Sequence, residues 1–201
     1  MSTPDIELYC GLMEEIKKRI AVIDAFATGA AHAVYATSGI ESACLQLRKC
    51  LEIVAMASLV ANKTEFERMY SSFAKYWKAD LLLRDLERVN PDFYPCPILE
   101  APSENPRFVS DLQNRETGYL TKVDFVKVYK KCAAVMHASN PYGRRFDYGY
   151  YQMQIPLWRD QLIGLLNSHR IRLVNDKNLY LIHMQEDQDD KVHAYTFARQ
   201  D

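Results

Sequence analysis

Residues 40–62 read IESACLQLRKCLEIVAMASLVAN, and this stretch decides the fold. Its apolar side chains recur in two stripes at helical spacing, so a helix formed here needs neighbours on two sides. Arg48 and Glu52 nevertheless lie one turn apart in its middle. Removing water from an unpaired charge is costly, so the two must pair or line a cleft. The stretch therefore predicts the central helix of a bundle and a first pair of candidate site residues.

Other segments repeat the helical spacing of apolar residues. Capping boxes are predicted at Ser38 with Glu41 and at Thr64 with Glu67, and Thr121 is the expected N-cap of a later helix. The helical patterns span residues 4–26, 38–62, 64–90, 122–137 and 156–169. This number of segments predicts a four- to five-helix bundle.

The rest of the chain carries two non-helical patterns. Five prolines fall in residues 91–106, which predicts an extended, ordered loop because Phe93 and Tyr94 need a place to pack and glycine is absent. Short β-branched or aromatic runs at 171–174, 179–184 and 192–197 indicate an antiparallel meander.

The predicted class is therefore mainly α, a four- to five-helix bundle followed by a short C-terminal antiparallel β-meander (α+β). Residues 1–169 are expected to form the helical bundle with the Pro-rich loop 91–106. Residues 170–201 are expected to form a three-stranded β-meander appendage.

Composition narrows the function classes. The net charge of −1 over 201 residues gives no global field toward nucleic acid or anionic lipid, so such binding needs a local patch. The N-terminal MSTPDIELYC lacks the order of a signal peptide, and charges interrupt the most apolar run. We therefore expect a cytoplasmic protein without membrane contact.

Arg48 and Glu52 allow two interpretations. They form an i,i+4 salt bridge at the edge of the bundle, or Glu52 orients Arg48 to present donors to a phosphate or to a carboxylate on another helix.

A second candidate region is KKCAAVMHASNPYGRR, residues 130–145. Lys131 and His137 are six residues apart, so on an unbroken helix they point about 120° away from each other. A shared site needs the helix to break near His137 or a second subunit to contribute. Without either, His137 is a cation at a helix C-terminus.

The Tyr-rich loop 142–151 follows and mixes cations with aromatic rings, including Tyr142, Arg144, Arg145 and Tyr148. Such a mixture suits stacked bases and phosphates. The same mixture suits a protein interface, either with a protein partner or in a homodimer, and the interface is the favoured interpretation.

His183 and His193 are candidates for a metal site, because a hairpin at the acidic turn places them opposite each other near Glu186 or Asp190. Ordinary strand histidines are the favoured interpretation, since no third ligand has fixed spacing. No metal and no cofactor are predicted.

The string LRKCLE at Leu47–Glu52, followed much later by Lys131, five residues and His137, resembles the HEPN superfamily. The resemblance implies a helical bundle that is often a homodimer, with an Arg, four to six residues and a His forming a metal-independent ribonuclease site at the dimer cleft. It also implies a toxin–antitoxin or antiviral defence setting. Asn140 matches the polar residue near the family's His, whereas Lys131 replaces its Arg and loses the planar fork that grips phosphate.

Three functions follow from these residues. The first is an HEPN-like protein that binds RNA or a nucleotide without strong catalysis, through Arg48, Glu52, Asn140, Tyr142, Arg144 and Arg145. The second is a non-catalytic homodimer or adaptor protein. The third is a metal-independent endoribonuclease with His137 as general acid or base and Lys131 stabilising the developing charge.

Overall fold

The structure, a computed structural model, describes residues 1–70, 78–105, 110–138, 140–143, 145–174 and 176–198. The helices among them are α1 (Thr3–Ala27), α2 (Ala36–Ala61), α3 (Lys63–Met69), α4 (Ala79–Val89), α5 (Lys122–Val135) and α6 (Tyr148–Leu166). The strands are β1 (Cys96–Pro102), β2 (Ser110–Asn114), β3 (Ser168–Ile171), β4 (Leu179–His183) and β5 (His193–Phe197). The predicted class, mainly α with an antiparallel sheet toward the C-terminus, is confirmed.

Helix α2 lies at the centre of the bundle and packs against α1, α4, α5 and α6. Both of its apolar stripes are buried, as shown by Leu47 and Leu51 on one and Ala43 and Cys50 on the other. The prediction of a helix with neighbours on two sides is confirmed. Because protein interiors are packed as tightly as organic crystals, this burial prevents the neighbouring helices from turning about their own axes.

Both predicted capping boxes are wrong. Helix α2 begins at Ala36, two residues before Ser38, and its N-cap Tyr35 makes no side-chain capping bond. Helix α3 begins at Lys63, and the residue before it, Asn62, also ends α2. The Asn62 side chain donates to the Ser58 carbonyl at 2.9 Å, so it caps the end of α2.

The long helix predicted over residues 64–90 is interrupted. Helix α3 ends before Tyr70 and α4 begins after Lys78, and both of these residues have extended backbone conformations. Residues 71–77, which include three aromatic residues of the predicted pattern, lie outside the described residues. The end of the pattern at Asn90, ahead of Pro91, is confirmed.

Thr121 caps α5 as predicted, because its hydroxyl oxygen accepts a hydrogen bond from the Asp124 amide at 3.1 Å. The start predicted for α6 at Pro156 is wrong. The helix begins at Tyr148, where the Asp147 carboxylate accepts from the Tyr150 amide at 3.0 Å, and Pro156 lies inside it. The second half of the predicted loop 142–151 is therefore helical.

The Pro-rich segment is more regular than predicted, since it contains β1. This strand pairs antiparallel with β2 and, at Cys96 and Pro97, with β3. Proline rarely occurs inside a paired strand, which is why the pattern indicated a loop.

The antiparallel meander is present as β3, β4 and β5, but β3 covers 168–171 instead of 171–174. It belongs to a five-stranded sheet of order β2-β1-β3-β4-β5, so the expected three-stranded appendage is part of a larger sheet. The boundary predicted between residues 169 and 170 falls within β3.

The buried His169 of β3 joins the sheet to α1. Its Nδ1 lies 2.7 Å from the Leu166 carbonyl, and its Nε2 lies 2.8 Å from the Tyr9 hydroxyl. A carbonyl only accepts, so Nδ1 carries the hydrogen and Nε2 accepts from Tyr9. Burial lowers the pKa of His169 to about 4, and the imidazole is therefore neutral at pH 7.

We expect stability to fall as the pH drops from about 6.5 to about 4. The unfolded imidazole takes up a proton near pH 6.5 while the folded one stays neutral until about pH 4, so protonation favours the unfolded state in this window. The full shift in the pKa of His169 corresponds to a loss of about 3 kcal/mol in the free energy of unfolding. Urea unfolding of the wild type and of His169→Asn across this window measures the pH dependence of the free energy of unfolding. The asparagine keeps a hydrogen-bond donor for the Leu166 carbonyl. Equal pH slopes in the two proteins contradict the assignment.

Candidate functional site

Arg48 and Glu52 form the predicted i,i+4 pair, and a residue from α5 closes it. The Arg48 Nε lies 3.1 Å from Glu52 Oε1. The Arg48 Nη2 donates to the Tyr129 hydroxyl at 2.7 Å, and that hydroxyl donates to Glu52 Oε1 at 3.2 Å. The guanidinium carbon also lies 4.2 Å from the centre of the Tyr129 ring, a cation–π contact. We call these three residues the Tyr129 clasp.

Burial raises the pKa of Tyr129, so its hydroxyl keeps the proton that it donates to Glu52. The side chains of Arg48 and Glu52 are 21% and 28% exposed. The clasp thus satisfies Arg48 and Glu52, the charges of α2 at its contact with α5. This geometry favours the salt-bridge interpretation of the pair, with the addition of a partner on a second helix.

The inner face of α5 determines where its lysines lie. Phe125, Val128, Tyr129 and Cys132 are buried toward α2. Lys127, Lys130 and Lys131 fall on the remaining face, where positions three and four apart are neighbours.

This lysine face lines an open cleft beside the first turn of α6, which we call the basic groove. Its volume is about 690 Å³. Its lining residues are Lys127, Lys130, Lys131, Ala134, Arg145, Phe146, Asp147, Tyr150 and Tyr151. Four cations therefore face one carboxylate, Asp147, which already caps α6.

Hydrogen bonds, ring contacts and an ion pair hold several of the residues that line the basic groove. The Tyr151 hydroxyl donates to the Lys131 carbonyl at 3.1 Å. The ring of Tyr150 packs edge-on against Tyr151 and Trp158, and the Lys131 ammonium lies 5.1 Å from its centre. Lys127 pairs with Asp124 at 2.9 Å. Within the described part of the chain, Lys130 and Arg145 have no ion-pair partner.

A second cavity holds His137, and we call it the His137 pocket. Its volume is about 390 Å³. It is lined by Ser38, Glu41, Ser42, Leu45, Val135, Met136, His137, Ala138 and Tyr148. The Tyr148 hydroxyl donates to Glu41 Oε1 at 2.9 Å, and this hydrogen bond raises the pKa of Tyr148.

Lys131 and His137 line different cavities. Helix α5 ends at Val135, so the break required for a shared site is present. After the break, however, His137 turns toward the start of α2, while Lys131 faces Tyr150. Arg48 lines neither cavity. The described chain brings Lys131 together with Arg145 and leaves His137 and Arg48 apart from them.

The remaining predicted residues lie in the turn between α5 and α6. The Asn140 side chain accepts from the Tyr142 amide at 3.0 Å, an Asx turn that shapes the loop. Tyr142 is 97% exposed. Arg144 lies outside the described residues.

His183 and His193 lie opposite each other on β4 and β5, as the hairpin pattern predicted. Glu186 contacts His183 at 2.6 Å, while Asp189 and not Asp190 contacts His193, at 3.0 Å. The hydrogen bond from His183 lowers the pKa of Glu186. The described residues contain no cluster of three His, Cys, Asp or Glu arranged to hold a metal ion.

Lys127, Lys130, Glu41 and Ser42 were not predicted as site residues. The lysine spacing was visible in the sequence, but its significance depended on which face of α5 is buried. Glu41 was attributed to a capping box, and only the tertiary structure brings it to Tyr148.

The Tyr129 clasp predicts coupling between Arg48 and Tyr129. Because a charged donor meets a half-buried hydroxyl, a double-mutant cycle of Arg48→Met and Tyr129→Phe should give about 1 kcal/mol of coupling. Urea unfolding of the four proteins measures it. Zero coupling contradicts the assignment of the clasp.

No helix among the described residues combines the length and the apolar character needed to cross a bilayer. Comparisons with protein-family models, curated proteins and solved structures found no match. The functional proposal below rests on the residues that line the basic groove and the His137 pocket.

Proposed function

We propose that this protein binds RNA, or a nucleotide as its smallest ligand, through the basic groove, without strong catalysis of its own. The observation that carries the proposal is the convergence of Lys127, Lys130, Lys131 and Arg145 beside the ring of Tyr150. These are the two components that single-stranded nucleic acid requires, namely cations for its phosphates and an aromatic face for its bases.

The charges of the groove are available to a ligand. Lys130 and Arg145 have no carboxylate partner within the described residues, so an incoming phosphate does not have to displace one. The chain as a whole carries a net charge of −1, so the attraction is local and does not arise from a global field. Binding of this kind releases counterions and weakens as salt rises.

The aromatic side of the groove is held in place before the ligand arrives. The rings of Tyr150, Tyr151 and Trp158 contact one another edge-on, and the Tyr151 hydroxyl donates to the Lys131 carbonyl of α5. A platform that is already ordered loses little side-chain entropy when a base stacks on it. The Lys131 ammonium lies over one face of the Tyr150 ring, 5.1 Å from its centre, and a base that stacks on this face takes the place of that cation–π contact.

The separation of Lys131 from His137 supports binding over cleavage. In the ribonuclease that the HEPN resemblance implies, the cation and the imidazole act on one phosphate. Here they line two cavities of the same subunit. An endoribonuclease of this type would need the second subunit of a homodimer to bring the cation and the imidazole together.

The HEPN resemblance extends the proposal to a homodimer acting in a toxin–antitoxin or defence setting. The non-catalytic adaptor is the second candidate, and the observation in its favour is the exposure of Tyr142, whose side chain is 97% accessible. Tyrosine is enriched in protein interfaces.

Fluorescence anisotropy with a short single-stranded RNA tests the proposal. We expect Lys130→Gln and Arg145→Gln each to weaken binding of all RNA sequences and to reduce the slope of log affinity against log salt by roughly 0.7 to 1. Lys18→Gln is the matched control, because Lys18 is an exposed lysine of α1 outside the groove.

Equal affinities for Lys130→Gln, Arg145→Gln and Lys18→Gln contradict the assignment of the groove. RNA cleavage that persists in EDTA and disappears in His137→Ala contradicts the non-catalytic part. If no RNA binds while Tyr142→Ala changes the oligomer in sizing chromatography, the adaptor is the correct function.

A further inference from the structure

We infer that the His137 pocket receives a guanine base of the RNA whose phosphates lie in the basic groove. The inference rests on the proposed RNA binding and adds the identity of the preferred base. Three separate segments build the pocket, namely the first turns of α2, the end of α5 and Tyr148 at the start of α6. A volume of about 390 Å³ is ample for one purine ring.

The polar groups of the pocket are left available for a ligand. Tyr148 uses one acceptor position of Glu41 Oε1 at 2.9 Å, and a carboxylate offers about four such positions. Within the described chain, Glu41 has no cation partner, and the hydroxyls of Ser38 and Ser42 and the ring of His137 have no hydrogen-bond partner. A concave site with several convergent polar groups and no internal partners for them is suited to a polar ligand.

The carboxylate of Glu41 selects among the four bases. Guanine carries two adjacent donors on its pairing edge, N1–H and the N2 amino group, which match the two oxygens of a carboxylate. Adenine and cytosine place a ring-nitrogen acceptor beside their amino group, and uracil flanks its single N–H with two carbonyl oxygens. Each of these three bases would point at least one lone pair toward the negative charge, so they bind less well.

The pocket and the groove are close enough for one RNA strand to occupy both. Ala134 and Asp147 line the basic groove, and the next residues along the chain, Val135 and Tyr148, line the His137 pocket. Consecutive Cα atoms are about 3.8 Å apart. A strand can therefore leave its phosphates among the lysines and turn a base into the pocket, against the exposed ring of His137, since unstacked bases stack on aromatic side chains.

The test compares oligouridine RNAs that carry a single central guanosine, adenosine or inosine, measured by anisotropy with the full chain. We expect the wild type to prefer guanosine over adenosine by roughly tenfold, with inosine between them because it lacks the N2 amino group. In Glu41→Gln the preference should fall to within about twofold, since the amide nitrogen presents donors to a donor edge.

Glu41→Gln keeps an oxygen for the Tyr148 hydroxyl, and a thermal melt by circular dichroism verifies its fold. The matched control is Glu7→Gln on α1, which removes the same charge at an exposed position outside the pocket and should keep the guanosine preference. Salt-dependent binding of all three RNAs with equal affinity overturns the inference and leaves the proposed function standing. Failure of every RNA to bind the wild type overturns both.

Discussion

The pairing of Arg48 and Glu52 with Tyr129 is the constraint on which the rest of the structure depends. Helix α2 is buried on two sides, and the two charges in its middle, Arg48 and Glu52, are satisfied where α5 covers them. Tyr129 supplies that partner, and together with the buried Phe125, Val128 and Cys132 it holds α5 with this face inward. The lysines at 127, 130 and 131 consequently face outward, where the ordered first turn of α6 meets them. A structural requirement of the core thus produces the basic surface.

The position of α6 depends on a second close contact. A Cβ atom at Gly164 would clash with the carbonyl oxygen of Gly118, so only glycine permits α6 to lie against the segment that precedes α5. The Leu120 amide donates to the Gln161 carbonyl at 2.8 Å in the same region. Together with the bond from Tyr151 to the Lys131 carbonyl, these contacts attach α6 to both ends of α5. These contacts fix the position of α6 against α5, where the residues of both helices line the basic groove.

The sequence predicted correctly the features that depend only on residues close together along the chain. Thr121 caps α5 because a hydroxyl three residues before an acidic residue satisfies the first amides of a helix without help from the rest of the chain. Asn90 ahead of Pro91 ends a helix for equally local reasons. The capping box predicted at Ser38 was wrong because α2 extends two residues further, to Ala36. Strand β1 was not predicted because its pairing depends on β2 and β3, which lie far away in the sequence.

In the candidate site, too, contacts between residues close in sequence were predictable, and contacts between distant residues were not. The i,i+4 pair of Arg48 and Glu52 was predictable, but its partner Tyr129 lies 81 residues beyond Arg48. Spacing along α5 could not show whether Lys131 and His137 meet, because that depends on the course of the chain after Val135. Glu41 and Tyr148 are 107 residues apart and become neighbours only in the folded bundle.

We propose RNA binding at the surface where α5 meets α6. The most direct measurement is photo-crosslinking of the full chain to thiouridine-labelled single-stranded RNA, followed by mass spectrometry of the linked peptides. We expect crosslinks within residues 127–131 and 145–151, with Tyr150 among them. Crosslinks confined to other surfaces, such as the exposed Phe197 of β5, would contradict it.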